Sequence, residues 1–213
     1  METLNIEIPT KDDVLSGFLD LPQRALGLVI FAHGSGSSRF SRRTRLVAGF
    51  LNRARLATLR FDLLTAAEHD FDRQTRELRS HLPLLTERLI AALDWARGSP
   101  RVSDLTIGLF GSSIGAAAAL FAAVARPDLV RTLVSRGGYL DLAAEVLAHV
   151  QIPTLMIVGG LDRSVLKTNR EAASQMPIAP HLEVIPDASH LFEEAGRLDA
   201  VAMLARDWFL KHL

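Results

Sequence analysis

Leu105-Thr106-Ile107-Gly108-Leu109-Phe110-Gly111-Ser112-Ser113-Ile114-Gly115 is followed at once by four alanines, Ala116 to Ala119. An apolar run that ends in Gly-Ser-Ser-Ile-Gly and passes into an Ala-rich stretch reads as a buried strand, a sharp turn and a helix start. Ser113 stands at the centre of a G-x-S-x-G frame. A serine on such a turn is lifted clear of the backbone, with the amide N–H groups of the following helix beneath it. Gly111 and Gly115 fit because the chain doubles back where a Cβ would collide.

Working outward, strands and helices alternate. Leu4 to Ile8 and Val14 to Leu19 read as two strands joined by a turn at Lys11-Asp12-Asp13. Gly27 to Ala32 is a buried strand that feeds the Gly-rich loop His33-Gly34-Ser35-Gly36, and Ala57 to Phe61 is another, closed by Asp62. Between them, Leu46, Val47, Phe50, Leu51 and Ala54 form a helical stripe. The segment 72–98 reads helical, with Pro83 marking a break or a new first turn. Further strands are expected at 130–135, 154–158 and 182–185, and helices at 114–126, 140–150, 164–175 and 199–210. Regular alternation after an opening hairpin implies a mostly parallel sheet with helices on both faces, and the strands are apolar as such a sheet requires.

The bulk properties narrow the function. A length of 213 residues suits a single domain, and 48% hydrophobic with 23% charged residues is ordinary for a soluble globular protein. The formal net charge of zero gives no footprint for nucleic acid. No stretch is long and apolar enough to span a bilayer, and Met1 to Asn5 does not resemble the start of a secretory signal. Without cysteine, thiolate chemistry and disulfides are excluded, which is compatible with a cytoplasmic protein. His69, His149, His181 and His212 show no metal-ligand spacing, so no metal is expected. Gly34-Ser35-Gly36 lacks the Lys-Ser/Thr of a nucleotide P-loop.

Ligands of open α/β sheets bind beyond the carboxyl ends of the strands. Standing there are His33-Gly34-Ser35, Asp62, Ser113, Arg136, Asp162 and the loop Pro186 to His190. A serine, an acid and a histidine follow in that chain order, the order used by nucleophile-elbow folds. Ser113 is the candidate nucleophile, His190 its base and Asp162 the group that orients the imidazole. Asp162 also suits the cap of the following helix, and Asp141 is a rival acid, better read as a helix cap. The N–H groups of Ile114 and Ser35 are candidate donors to a developing oxyanion. His33 reads as structural and Asp62 as an anchor for neighbouring loops. Arg39, Arg42, Arg43 and Arg45 read as a solvated helix face or a landing surface for an anion. Arg136 suits either a substrate carboxylate clamp or a structural pair with Asp62 or Asp141, and Tyr139 is a further candidate for substrate binding.

These pieces resemble a serine member of the dienelactone hydrolase-like branch of the α/β-hydrolase superfamily. The resemblance rests on His33 to Arg39, Phe61-Asp62-Leu63-Leu64-Thr65, the turn at Ser113, Ser135-Arg136-Gly137-Gly138, Val158 to Asp162 and His190 to Glu194. It implies an α/β-hydrolase fold with an eight-stranded sheet whose second strand is antiparallel, and a triad of Ser113, Asp162 and His190. Many relatives are small proteins or are fused to phosphoribosyltransferases. Dienelactone hydrolases proper use a cysteine, absent here, so lactone specificity does not carry over. Relatives more often have Thr where Ile114 stands, and differ at Ser80-His81 and Tyr139-Leu140.

The reading is a cofactor-free serine hydrolase of small carboxylic esters or thioesters, a monomer or homodimer with a small-molecule substrate. The short connection between Val130 and Thr154 leaves no room for a large cap domain, so an open, shallow site is expected. A second reading stays open on sequence: a hydrolase-fold binding module, or a redesigned scaffold whose triad is poorly productive.

Overall fold

The computed structural model describes residues 1–11 and 13–213. Eight strands form one sheet in the order β1-β2-β4-β3-β5-β6-β7-β8. They are β1 (Glu2–Pro9), β2 (Val14–Leu21), β3 (Leu28–Ala32), β4 (Ala57–Phe61), β5 (Ile107–Ser112), β6 (Val130–Arg136), β7 (Thr154–Gly159) and β8 (His181–Ile185). β2 runs antiparallel to both β1 and β4, and every other neighbouring pair is parallel. The expected antiparallel second strand is therefore present. The turn expected at 11–13 includes Asp12, which lies outside the described residues.

Burial explains the composition of the strands. β3, β5 and β7 are buried at every position, as strands covered on both faces must be. β1 and β8, at the two edges, keep exposed positions. Helices α1 (Arg42–Arg53) and α6 (Arg197–His212) cover one face, around Val29, Phe31, Phe110 and Phe209. Helices α3 (Leu82–Gly98) and α4 (Ile114–Ala125) cover the other, around Ile30, Leu59, Leu109 and Leu133. Ala116 to Ala119 are fully buried in α4, where small side chains let the helix sit close to the sheet.

Two segments differ from the sequence reading. The region expected to be helical over 72–98 divides into α2 (Ala66–Thr75), a 3₁₀ turn (Leu78–Ser80) and α3. α2 starts at a capping box in which Thr65 accepts from the Glu68 N–H and Glu68 accepts from the Thr65 N–H. It stops at Arg76 in the left-handed conformation. Pro83 sits in the first turn of α3, one of the two readings its position allowed. The helix expected at 140–150 is a 3₁₀ segment, Leu140–His149, kinked at Ala143. Helix α5 is Arg163–Ala173. No helix among the described residues is long and apolar enough to cross a membrane.

Candidate active site

The turn at Ser113 is built by two contacts that exclude side chains. A Cβ on Gly111 would lie 2.4 Å from the Ala116 Cα, and one on Gly115 would lie 2.2 Å from the Ala32 carbonyl oxygen. With both glycines in place, α4 begins directly over the ends of β3 and β5. Ser113 takes φ 50° and ψ −123°, a backbone conformation that a non-glycine residue adopts only under constraint. Its N–H donates to the Arg136 carbonyl and its carbonyl accepts from the Tyr139 N–H, so the strained residue is fixed from both sides.

The Ser113 hydroxyl lies 2.7 Å from His190 Nε2, and His190 Nδ1 lies 2.6 Å from Asp162 Oδ2. The residues come from the ends of β5, β8 and β7, and backbone bonds join the last two loops. Leu161 N–H donates to the Ala188 carbonyl, Gly160 N–H to that of Ile185, and Gly159 has no space for a Cβ beside Ala188. Buried Ala188 and Phe192 anchor the histidine loop in the core, and Glu194 accepts from the Ser189 N–H. Hydrogen bonds from its own backbone and from Ser189 hold the Glu194 carboxyl below the usual range. Asp162 precedes α5 but its side chain caps no helix N–H, so the alternative capping role is absent. Asp141, the rival acid, is exposed on the 3₁₀ segment.

Ile114 is the first residue of α4, where the N–H has no carbonyl one turn earlier to bond. Gly34 lies against Ser113, close enough that a Cβ there would be 3.4 Å from the Ser113 hydroxyl. The Ser35 hydroxyl donates to the Arg79 carbonyl at 2.9 Å and sits 3.2 Å from that of Ser80. This ties the candidate oxyanion loop to the 3₁₀ turn after α2. That turn is held by buried Asp72, which accepts from the N–H groups of Leu78 and Arg79 and from Arg79 Nε. Sequence reasoning missed Asp72 and Arg79.

His33 is structural. Its Nδ1–H donates to the Gly34 carbonyl and its Nε2 accepts from the Leu63 N–H, which fixes a neutral tautomer. Burial lowers its pKa below the usual histidine value. Asp62 anchors a neighbouring loop by accepting from the backbone and guanidinium of Arg39. His81 caps α3 through Nδ1. Among the described residues no group of three or more His, Asp or Glu side chains is arranged to hold a metal ion.

Tyr139 does more than line the cleft. Its ring stacks on His190 with centroids 5.3 Å apart and planes 7° apart, and its hydroxyl is 3.4 Å from Nε2. Buried Asn169 donates to the Gly138 carbonyl and so fixes the loop that carries Tyr139, a contact with no sequence signal. Arg136 pairs with neither Asp62 nor Asp141, both considered from the sequence; Asp62 is taken by Arg39. Burial, with repulsion from Arg43, pushes its pKa down to about 10. The cleft over Ser113 has a volume of about 230 Å³, and no cap domain stands over it among the described residues.

Comparison with known proteins gives the chain its family. Residues 55–211 match the model of the dienelactone hydrolase family, which is most of the chain. The chain belongs to the dienelactone hydrolase family. A dienelactone hydrolase structure from Anabaena variabilis is 48% identical with a TM-score of 0.98, over 100% of this chain and 98% of that one. Est1E from Butyrivibrio proteoclasticus shares the fold at 19% identity and a TM-score of 0.80, over 97% of this chain and 98% of that one. Proteins of Mycobacterium tuberculosis named as phosphoribosyl transferases are 48% identical over 93% of this chain. The chain spans 44% of their length. As a dienelactone hydrolase family member that lacks cysteine, this chain has a serine at its elbow.

Proposed function

We propose that this protein is a serine hydrolase of small carboxylic esters or thioesters, acting through an acyl-enzyme. The observation that carries the reading is the continuous path from the Ser113 hydroxyl through His190 to Asp162, with links of 2.7 and 2.6 Å. With Asp162 ionised, the imidazole keeps its proton on Nδ1 and offers a free lone pair at Nε2. Ser113 Oγ attacks the carbonyl carbon and its proton passes to Nε2. The carbonyl oxygen takes up the charge, facing the N–H groups of Ile114 and Ser35. Collapse breaks the ester C–O bond, and Nε2 returns the proton to the leaving alcohol. Water then repeats the sequence on the acyl-serine, releasing the acid and free Ser113. Losing one oxyanion donor commonly costs about 10²–10³ in turnover.

Membership of a hydrolase family and a near-complete structural match to a dienelactone hydrolase support hydrolysis over other chemistry. We assign the transferase name of the mycobacterial relatives to the part of those proteins that this chain does not match.

A fluorophosphonate probe tests the reading. Folded wild-type protein is expected to be labelled on Ser113 and to hydrolyse 4-nitrophenyl acetate, and Ser113→Ala is expected to lose both. Absence of labelling on a folded wild type supports a binding module and removes the proposal.

A further inference from the structure

Arg136 is the unusual group of the cleft. Its side chain is buried, the residue being 7% exposed, yet no carboxylate among the described residues pairs with it, and its Nε has no hydrogen-bond partner. An uncompensated buried cation is costly, and proteins keep one where a ligand supplies the missing charge. Arg136 lines the same cleft as Ser113. Arg43, Ser41 and Thr44 line it too, and they form the first turn of α1 with its cap. The Ser41 hydroxyl caps that turn by accepting from the Thr44 N–H, but the turn contains no acidic residue, so no negative charge of its own offsets the positive end of the helix. The carboxylate that meets this group is Glu193, 3.3 Å from Arg43 and 64% exposed at its side chain, where water competes for it.

We infer that this end of the cleft is a phosphate subsite, in which Arg136, Arg43 and the first turn of α1 bind a phosphate monoester group carried by the ester that Ser113 attacks. A carboxylate needs one planar guanidinium. Here the Arg136 guanidinium, at the end of β6, and one further segment carrying the Arg43 guanidinium, two hydroxyls and a helix N-terminus line one cleft, which offers more donors than a planar carboxylate can use and suits a tetrahedral dianion better. Two positive charges also repel one another across the cleft, and a dianion between them removes that repulsion. The inference deepens the esterase reading in naming the substrate, but phosphate binding itself needs no hydrolysis.

The test uses the full chain in phosphate-free buffer at constant ionic strength. Inorganic phosphate, and acetate as the carboxylate arm, are titrated by calorimetry and by thermal melting. Wild type is expected to bind phosphate in the millimolar range or tighter, with a rise in Tm, and to bind acetate at least about tenfold more weakly. Arg136→Gln and Arg43→Gln are each expected to weaken phosphate about tenfold or more. Without phosphate, Arg136→Met is expected to melt no lower than wild type, because it removes an unpaired buried charge, whereas a purely structural arginine would leave a destabilised protein. Equal binding of acetate and phosphate, no phosphate effect on wild type, or equal phosphate effects in wild type and both glutamine variants would each overturn the proposal. A protein that reacts with the fluorophosphonate but ignores phosphate loses this inference alone, and one that binds phosphate but resists the probe loses the esterase reading alone.

Discussion

In the proposed mechanism the imidazole of His190 has a role for each nitrogen, and the direction of the Asp162 bond decides whether Nε2 can act as a base. A carboxylate can only accept, so it keeps the proton on Nδ1. Asp162→Asn preserves the shape but offers an N–H to the same nitrogen, which moves the imidazole proton to Nε2, facing Ser113. The expected outcome is a fall in kcat of about 10⁴, with little change in Tm, measured with 4-nitrophenyl acetate. A loss below tenfold would show that Asp162 does not orient the base. His33 behaves in the opposite way, as an imidazole that must stay neutral. Its folded-state pKa is lowered, by burial first of all, from the ordinary 6.5. Above that pH both folded and unfolded chains carry it unprotonated. Below it the unfolded chain takes up a proton that the folded chain resists, so stability falls with pH from about 6.5 downward. Melting curves between pH 7.5 and 5 are expected to show this fall in wild type. His33→Asn is expected to start lower, having lost the bonds to Gly34 and Leu63, but to fall less steeply.

At the scale of elements, the candidate oxyanion loop is only as rigid as the segment beneath it. Ser35 hangs on the Arg79 carbonyl, and Arg79 is held by Asp72. Desolvation alone would raise the Asp72 pKa, but hydrogen bonds from Arg79 and Leu78, with the Arg79 charge, outweigh it and the net shift is downward. Asp72→Asn replaces an acceptor with a donor where N–H groups already converge. It is expected to cost about 1.5–3 kcal/mol, read as a lower Tm, and to reduce kcat more than it changes KM. An unchanged Tm would show that the 3₁₀ turn does not depend on this carboxylate. The same segment marks how far the sequence could be read. The central strands were legible because both their faces are covered, which makes each an unbroken apolar run. The turn at Ser113 was legible because a close approach forces glycine on either side. α2 was read late because its burial gives almost no stripe: Asp72 is its buried residue, and a buried aspartate looks like an exposed one in sequence. Its start was nonetheless written in the Thr65-x-x-Glu68 box. Partner choice was beyond reach: nothing in Arg39 or Arg136 says which would take Asp62, because that depends on where two loops meet.

For the whole molecule, the sheet order and the short connection between β6 and β7 set the size of the cleft. Larger α/β hydrolases can insert helices at this connection; here a 3₁₀ segment of 10 residues fills it. The cleft is left open, with a volume of about 230 Å³, below the roughly 300–1,000 Å³ of pockets that enclose drug-sized ligands. Ser35, Ser37, Ser41, Thr44, Arg43 and Arg136 line it together with the apolar surface of Tyr139 and Leu191, and an open cleft of this size encloses only a short group beside Ser113. A long acyl chain would therefore leave most of its methylenes in water and gain none of the roughly 0.8 kcal/mol that each buried CH₂ supplies. Across 4-nitrophenyl esters from acetate to dodecanoate, kcat/KM is expected to peak at the short members and then to level off or fall. A steady rise of about threefold to fourfold per methylene through dodecanoate, the increment that burial of each CH₂ would bring, would mean that an apolar channel opens in solution and that the walls described around Ser113 are not those that meet the acyl chain.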